Sequence, residues 1–194
     1  MKDERSSSAV GNLLLYGTGT TTVLLGLLCA PFLIIAVRNR LPYLPTNLPV
    51  VHAALRYINF NSKSTMSKTM LDLGSGDGRI CIEFAKNGYK TVGYELNPVL
   101  VGISYYNAWR GGVLKNCNFR MKDFKHAELE KYSVIFMFGV NPLMAALDDR
   151  LLSSAFRGYV VLHRFFLKSR VPVFKDGDFY IYDTTPADSN GRLR

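Results

Sequence analysis

The sequence predicts an α/β protein: an open, mostly parallel sheet with helices on both faces, preceded by an N-terminal transmembrane helix. Three observations predict it. From Lys68 onward, short apolar runs of strand character alternate with stretches of helical periodicity, the pattern of successive βα units. A glycine-rich turn closes the first of those strands, where the ligand site of an open parallel sheet belongs. Residues 13–37 form a 25-residue stretch without a charge.

That stretch reads LLLYGTGTTTVLLGLLCAPFLIIAV and follows a tail of residues 1–12. A bilayer core about 30 Å thick needs about 20 mainly apolar helical residues, so the stretch is long enough to span. Gly17 to Thr22 and Pro31 lower its helix propensity, although membrane helices tolerate both residue types. A signal peptide has a shorter apolar region ending in a small-residue cleavage site. A transit peptide is Arg-rich, whereas Lys2, Asp3, Glu4 and Arg5 cancel here. A buried helix of a soluble fold is the remaining alternative. Residues 38–194 hold 22 basic and 13 acidic residues, with Arg38 and Arg40 directly after the apolar stretch. The positive-inside tendency places this part on the cytoplasmic or matrix side.

Residues 38–62 are a Pro-containing linker and a short helix. Pro42, Pro45 and Pro49 stiffen the linker, and Val51, Ala54, Leu55 and Ile58 put an amphipathic helix over 50–58. Residues 63–183 form the α/β domain. Strands are expected at 69–73, 90–94, 118–121, 133–138, 159–166 and 179–182, and helices at 79–87, 98–110 and 142–153. Gly88 closes the first of these helices, and Pro98 suits the first turn of the second. Tyr105, Tyr106 and Trp109 lie at helical spacing and are read as a packed helix face rather than a lysine-binding cage. Residues 184–194 are a polar tail without strand character.

The net charge of +9 points to anionic partners. The basic residues are dispersed rather than gathered in a groove, so no nucleic acid is expected, and an anionic membrane surface accounts for them more simply. Cys29, Cys81 and Cys117 lack metal or disulfide spacing, which fits a reducing compartment. His52, His126 and His163 are scattered; no metal site is expected, and His163 is read as a sheet residue.

The chemistry lies in Leu71-Asp72-Leu73-Gly74-Ser75-Gly76-Asp77-Gly78-Arg79. Alternate glycines permit a tight turn and close approach of a ligand to the backbone, beside the free N–H groups of the next helix. Glu95 ends the second strand 17 residues after Gly78, where a carboxylate can accept hydrogen bonds from ribose hydroxyls. A dinucleotide site wants a third glycine at position 79, which is Arg79.

The G-x-G-x-G pattern preceded by Asp72 resembles motif I of the class I S-adenosylmethionine methyltransferases. The resemblance implies their Rossmann-like sheet and S-adenosyl-L-methionine as cofactor. It implies cofactor contacts from Asp72, Gly74, Ser75, Gly76, Asp77 and Gly78, from the Glu95-Leu96-Asn97 region, and from Asp123 and Phe124 after the third strand. A narrower likeness runs from about Leu13 to Asp183. LDLGSGDGRI, GYELNPVLV, the aromatic-rich Tyr105 to Arg110 and Phe138-Gly139-Val140, downstream of an apolar segment and Tyr43 to Thr46, resemble the small mitochondrial protein-lysine methyltransferases. That family methylates the ATP synthase c subunit or the adenine nucleotide translocase. Ala30-Pro31-Phe32 and the following Pro-Thr look closer to the c-subunit branch.

The likeness implies a lysine-containing membrane protein as substrate and a place on the mitochondrial inner membrane with the catalytic domain facing the matrix. A membrane-bound methyltransferase of a lipid or small molecule, and a non-enzymatic membrane-tethered assembly factor, are the alternatives. Family members can continue through a further C-terminal strand, so the far sheet edge is expected to be short or open. No residue identifies itself as a catalytic base. Asn141-Pro142-Leu143-Met144 matches only two positions of the [DN]-P-P-[FYW] signature and reads as a helix cap and first turn. Asn141 is the weak catalytic candidate, facing the incoming amine through its carbonyl.

Overall fold

The computed structural model describes residues 18–30, 46–62, 64–138 and 141–185. The chain divides into two compact units, Met1–Pro42 and Tyr43–Arg194. In the first unit residues 18–30 are helical and almost wholly exposed. Among the described residues no helix is long and apolar enough to cross a membrane. Residues 13–17 and 31–37 of the expected span lie outside the described residues, as do the tail at 1–12, Tyr43 to Pro45, Gly139, Val140 and residues 186–194.

The second unit is built on a seven-stranded sheet: β1 (Thr69–Leu73), β2 (Lys90–Glu95), β3 (Cys117–Met121), β4 (Val134–Phe138), β5 (Tyr159–His163), β6 (Phe174–Asp176) and β7 (Phe179–Asp183). The spatial order is β3-β2-β1-β4-β5-β7-β6. The first five strands are mutually parallel, and β7 runs antiparallel to both β5 and β6. Order reverses between β1 and β4, so the carboxyl ends of β1, β2 and β4 frame the crevice that such sheets offer a ligand.

Four helices accompany the sheet: α1 (Leu48–Asn61), α2 (Arg79–Lys86), α3 (Pro98–Arg110) and α4 (Asn141–Ser153). Successive strand residues point to opposite faces, and both faces are buried. Met70, Val134, Phe136 and Val161 pack in one core with Val51, Ala54 and Ile58 of α1 and Ile80 and Phe84 of α2. Leu71, Ile135, Met137 and Val160 pack in the other with Met144, Leu147 and Leu151 of α4. Polar ties fix α1 in place: His52 Nε2 lies 3.0 Å from Glu83 Oε2 of α2, and the Tyr89 hydroxyl donates to Asn59 Oδ1 at 3.1 Å.

Several expectations are corrected. Pro49 belongs to the first turn of α1 rather than to a linker, because its missing N–H costs nothing there. β5 stops at His163 rather than Phe166, because Arg164 takes φ +77 and turns the chain out of the strand. The far edge is short, as expected, but it carries a strand that the hydrophobic pattern does not reveal: β6 pairs with β7 through a turn at Gly177, φ +55. Three residues, two of them exposed, are too few to show alternation.

The aromatics of α3 are not a packed face either. Tyr106 is 55% and Trp109 64% exposed, while the buried stripe of α3 consists of Leu100, Ser104 and Ala108. Tyr105 alone is engaged with the sheet. Its hydroxyl donates to Phe119 O at 2.9 Å and accepts from Phe119 N–H at 3.2 Å. It thereby occupies backbone groups of edge strand β3 that another chain could pair with.

Gly158, just before β5, allows a test of this packing. A Cβ built there would lie 2.2 Å from Ser133 O, a backbone atom that cannot swing away. Gly158→Ala is expected to cost about 1–3 kcal/mol, read as a lowered midpoint in urea denaturation of the full chain.

Candidate active site

β1 ends at Leu73, and the next five residues carry three left-handed glycines: Gly74 (φ +91), Gly76 (φ +56) and Gly78 (φ +81). The loop is tied to its neighbours on both sides. Gly74 N–H and Ser75 N–H both donate to Tyr94 O of β2, at 2.9 and 3.0 Å. Ser104 Oγ of α3 donates to Gly76 O at 2.9 Å, and Asn107 Nδ2 donates to Asp77 O at 3.0 Å. Close packing enforces two glycines here. A Cβ at Gly93 would come within 2.6 Å of Ser75 Oγ, and one at Gly78 within 2.8 Å of the Phe119 ring.

Glu95, at the end of β2, is held by backbone donors. Its Oε2 accepts from Gly76 N–H at 3.0 Å and its Oε1 from Asn97 N–H at 2.9 Å. Each oxygen keeps a lone pair, since an ionised carboxylate accepts about four hydrogen bonds. Asn97 is buried and caps α3, its Oδ1 accepting from Val99 N–H at 3.0 Å. Leu96 is exposed beside it. Asp77 is clamped by Arg79 through two near-parallel bonds, Nε to Oδ1 at 2.9 Å and Nη2 to Oδ2 at 2.7 Å.

Asp72 differs from these. It points from β1 toward the α1/α2 side and is buried. Its Oδ2 meets the Cys81 thiol at 4.0 Å, and its Oδ1 has no hydrogen-bond partner; the Ser75 hydroxyl is equally buried and unpartnered. Burial first, then the negative charges of Glu95 and Asp77, raise the Asp72 carboxyl well above the usual carboxylate range. A buried polar atom without a partner marks a place for a bound group.

The parallel register sets Gly74, Glu95 and Met121 in a row on neighbouring strands. Asp123 and Phe124 lie past the end of β3. Asp123 Oδ1 accepts from Lys125 N–H at 2.9 Å, and Phe124 is half-buried against the α4-side core. On the other side of β1, Phe138 of β4 is opposite His163 of β5. Their rings meet edge to face at 5.3 Å, and His163 Nδ1 lies 3.2 Å from Thr46 Oγ1. Burial, then the Arg164 charge, hold His163 below its ordinary value. Asn141 opens α4 directly after β4; its side chain lies outside the described residues. No group of three or more metal-ligating side chains occurs among the described residues.

The sequence-expected residues Asp72, Gly74, Ser75, Gly76, Asp77, Gly78, Glu95, Leu96 and Asn97 are therefore brought together, with Asp123 and Phe124 at the next strand end. Gly93, Ser104 and Asn107 were not anticipated. Ser104 carried a signal: it is the polar member of the stripe Leu100, Ser104 and Ala108.

The sheet order, the glycine loop after β1 and the acid after β2 define a class I S-adenosylmethionine-dependent methyltransferase. An RNA methyltransferase from Salinibacter ruber, solved with S-adenosyl-L-homocysteine, superposes with a TM-score of 0.63 at 28% identity, covering 73% of this chain and 94% of its own. The ANTKMT methyltransferase domain family matches residues 72–174. The ATP synthase c-subunit lysine N-methyltransferase of Xenopus laevis is 36% identical over 82% of this chain and 70% of its own length. Adenine nucleotide translocase lysine N-methyltransferase of Mus musculus is 36% identical over 56% of this chain and 48% of its own. The chain belongs to the ANTKMT family of S-adenosylmethionine-dependent protein-lysine methyltransferases. It spans 47% to 72% of the length of the curated c-subunit methyltransferases it matches.

The orphaned Asp72 Oδ1 and Ser75 Oγ, and the open space where a Gly74 Cβ would sit, fit that cofactor's cationic amino-acid end. Without it, the Asp72 charge opposes folding. Because the carboxyl is raised in the folded state, folding binds protons between the unfolded and folded values, and stability falls as pH rises through that window. Asp72→Asn is expected to raise the melting temperature of the cofactor-free protein at neutral pH. Thermal melts across pH check this; the gain should vanish at acid pH.

Proposed function

We propose that this protein transfers a methyl group to the side-chain amine of a lysine in the ATP synthase c subunit. It works from the matrix face of the mitochondrial inner membrane and is tethered there by the apolar segment at 13–37. The observation that carries the reading is the acidic, glycine-lined cradle around Asp72 with its unpartnered Oδ1, in a chain most of whose curated relatives are c-subunit lysine methyltransferases. The 25 uncharged residues of the N-terminal segment support the membrane site of action. Similarity to the translocase methyltransferase, over a shorter part of the chain, keeps the translocase as the second substrate to test.

In this reading Asp72 and the loop Gly74-Ser75-Gly76-Asp77-Gly78 hold the amino-acid end of S-adenosyl-L-methionine, Glu95 its ribose hydroxyls, and Leu96, Asn97, Asp123 and Phe124 the adenine surroundings. When bound, the cofactor supplies a methyl group on a sulfonium. The protein's work is alignment and exclusion of water. Free lysine titrates near about 10.4, so the amine must shed a proton, and a pocket that penalises charge favours this. Phe138 and His163, at the ends of β4 and β5, lie at the level of Gly74 along the sheet. They form the wall past which the amine approaches, with Asn141 beside them at the start of α4.

The test is methyl-labelling of mitochondrial membranes with the native chain, Asp72→Ala and Glu95→Ala. Native protein should label one small membrane protein, identified by mass spectrometry as the c subunit, and each variant should lower the rate about tenfold or more, the loss expected for a charged hydrogen bond. Label in extracted lipid instead would establish the lipid methyltransferase reading. No label with the native chain, or unchanged label in both variants, would sink the proposal.

A further inference from the structure

The outward face of α3 is unusual for a helix on a sheet. Ile103, Tyr106 and Trp109 stand exposed on one side of it, and Leu114 in the next turn is exposed as well. The Tyr106 and Trp109 rings are 6.0 Å apart, and the Arg110 guanidinium lies 5.9 Å from the centre of the Tyr106 ring. Lys115 is exposed one residue past Leu114. No acidic residue occurs between Glu95 and Asp123, a run that includes all of α3 and β3. The face is thus aromatic and cationic, and carries no anion of its own sequence.

We propose that this face docks on an anionic lipid surface. Amphipathic aromatic rings settle at the headgroup level of a bilayer, and basic residues beside them are drawn to anionic lipids. A protein interface of the same size would oppose the bases with acids or bury the rings in a socket. A bilayer needs neither, and the same chain carries the uncharged 13–37 segment on which the membrane reading rests. The inference rests on the membrane reading above and adds what that reading lacks, the side of the domain that meets the lipid. α3 also bonds the glycine loop through Ser104 and Asn107, so lipid contact would orient the site relative to the bilayer.

Trp109 is the chain's only tryptophan, so its fluorescence reports on this face alone, whatever the N-terminal segment does. The full chain is mixed with neutral phosphatidylcholine vesicles, with vesicles containing cardiolipin, and with the same vesicles carrying brominated acyl chains. The expected result is a blue shift and bromine quenching on anionic vesicles only, reversed by salt. The double variant Arg110→Glu/Lys115→Glu should keep cofactor binding and the melting profile while anionic-vesicle affinity, read at Trp109, drops about tenfold or more. Emission unchanged on all vesicles, an equal shift on neutral ones, or a shift that grows with protein concentration without lipid would overturn the proposal; the last would indicate a second copy of the chain. Labelling of the c subunit without a Trp109 response leaves the proposed function standing and removes the docking face. A Trp109 response without labelling does the reverse.

Discussion

The unpaired carboxylate of Asp72 is the constraint from which the rest of the site follows. It sits at the penultimate position of β1, an interior strand between β2 and β4, and is buried against Cys81 of α2. A charge in such a place is costly, and the negative charges of Glu95 and of Asp77, the latter paired with Arg79, raise the cost further. The arrangement is unfavourable on its own, and in the proposed function a positive ligand would relieve it. Stability is given up locally for a site organised before its ligand arrives, a trade found where binding or catalysis requires it.

The surrounding structure holds that charge and the loop above it in register. β1 places Asp72 and β2 places Glu95. Because the two strands pair residue for residue, the loop amides of Gly74 and Ser75 fall on Tyr94 O, while Gly76 reaches Glu95. α3 braces the same loop from outside through Ser104 and Asn107. Asp77 is the one loop acid whose charge is met by a side chain, Arg79. Thr46, ahead of α1, reaches His163 at the end of β5, so the segment entering the domain packs against the end of β5.

Most of this was legible in the chain. The G-x-G-x-G turn and the acid after the next strand announce themselves because a tight left-handed turn tolerates little else, and because strand length fixes the spacing. β4 and β5 are nearly continuous apolar runs and stand out for that reason. What escaped was decided by tertiary contact. β6 is too short to show a period and exists because β7 offers it an edge. β5 ends at His163 because of one backbone angle at Arg164, which no composition rule foresees. The aromatics of α3 have helical spacing that suits a core, yet Ser104 occupies the buried stripe because the loop needs its hydroxyl. Gly93 reads as an ordinary strand glycine until Ser75 and Phe119 are seen against it. The seven-stranded order likewise follows from pairing between distant segments, which local pattern cannot show.

In the proposed function Asp72 is a buried carboxyl, raised by its surroundings above the usual carboxylate range, that meets a cationic group of the cofactor. Carbon NMR of the Asp72 carboxyl, followed through pH in the free protein and with S-adenosylmethionine bound, tests it directly. The account predicts titration above the usual carboxylate range in the free protein and a clear fall when the cofactor binds. Titration at an ordinary value, unmoved by the cofactor, would contradict it.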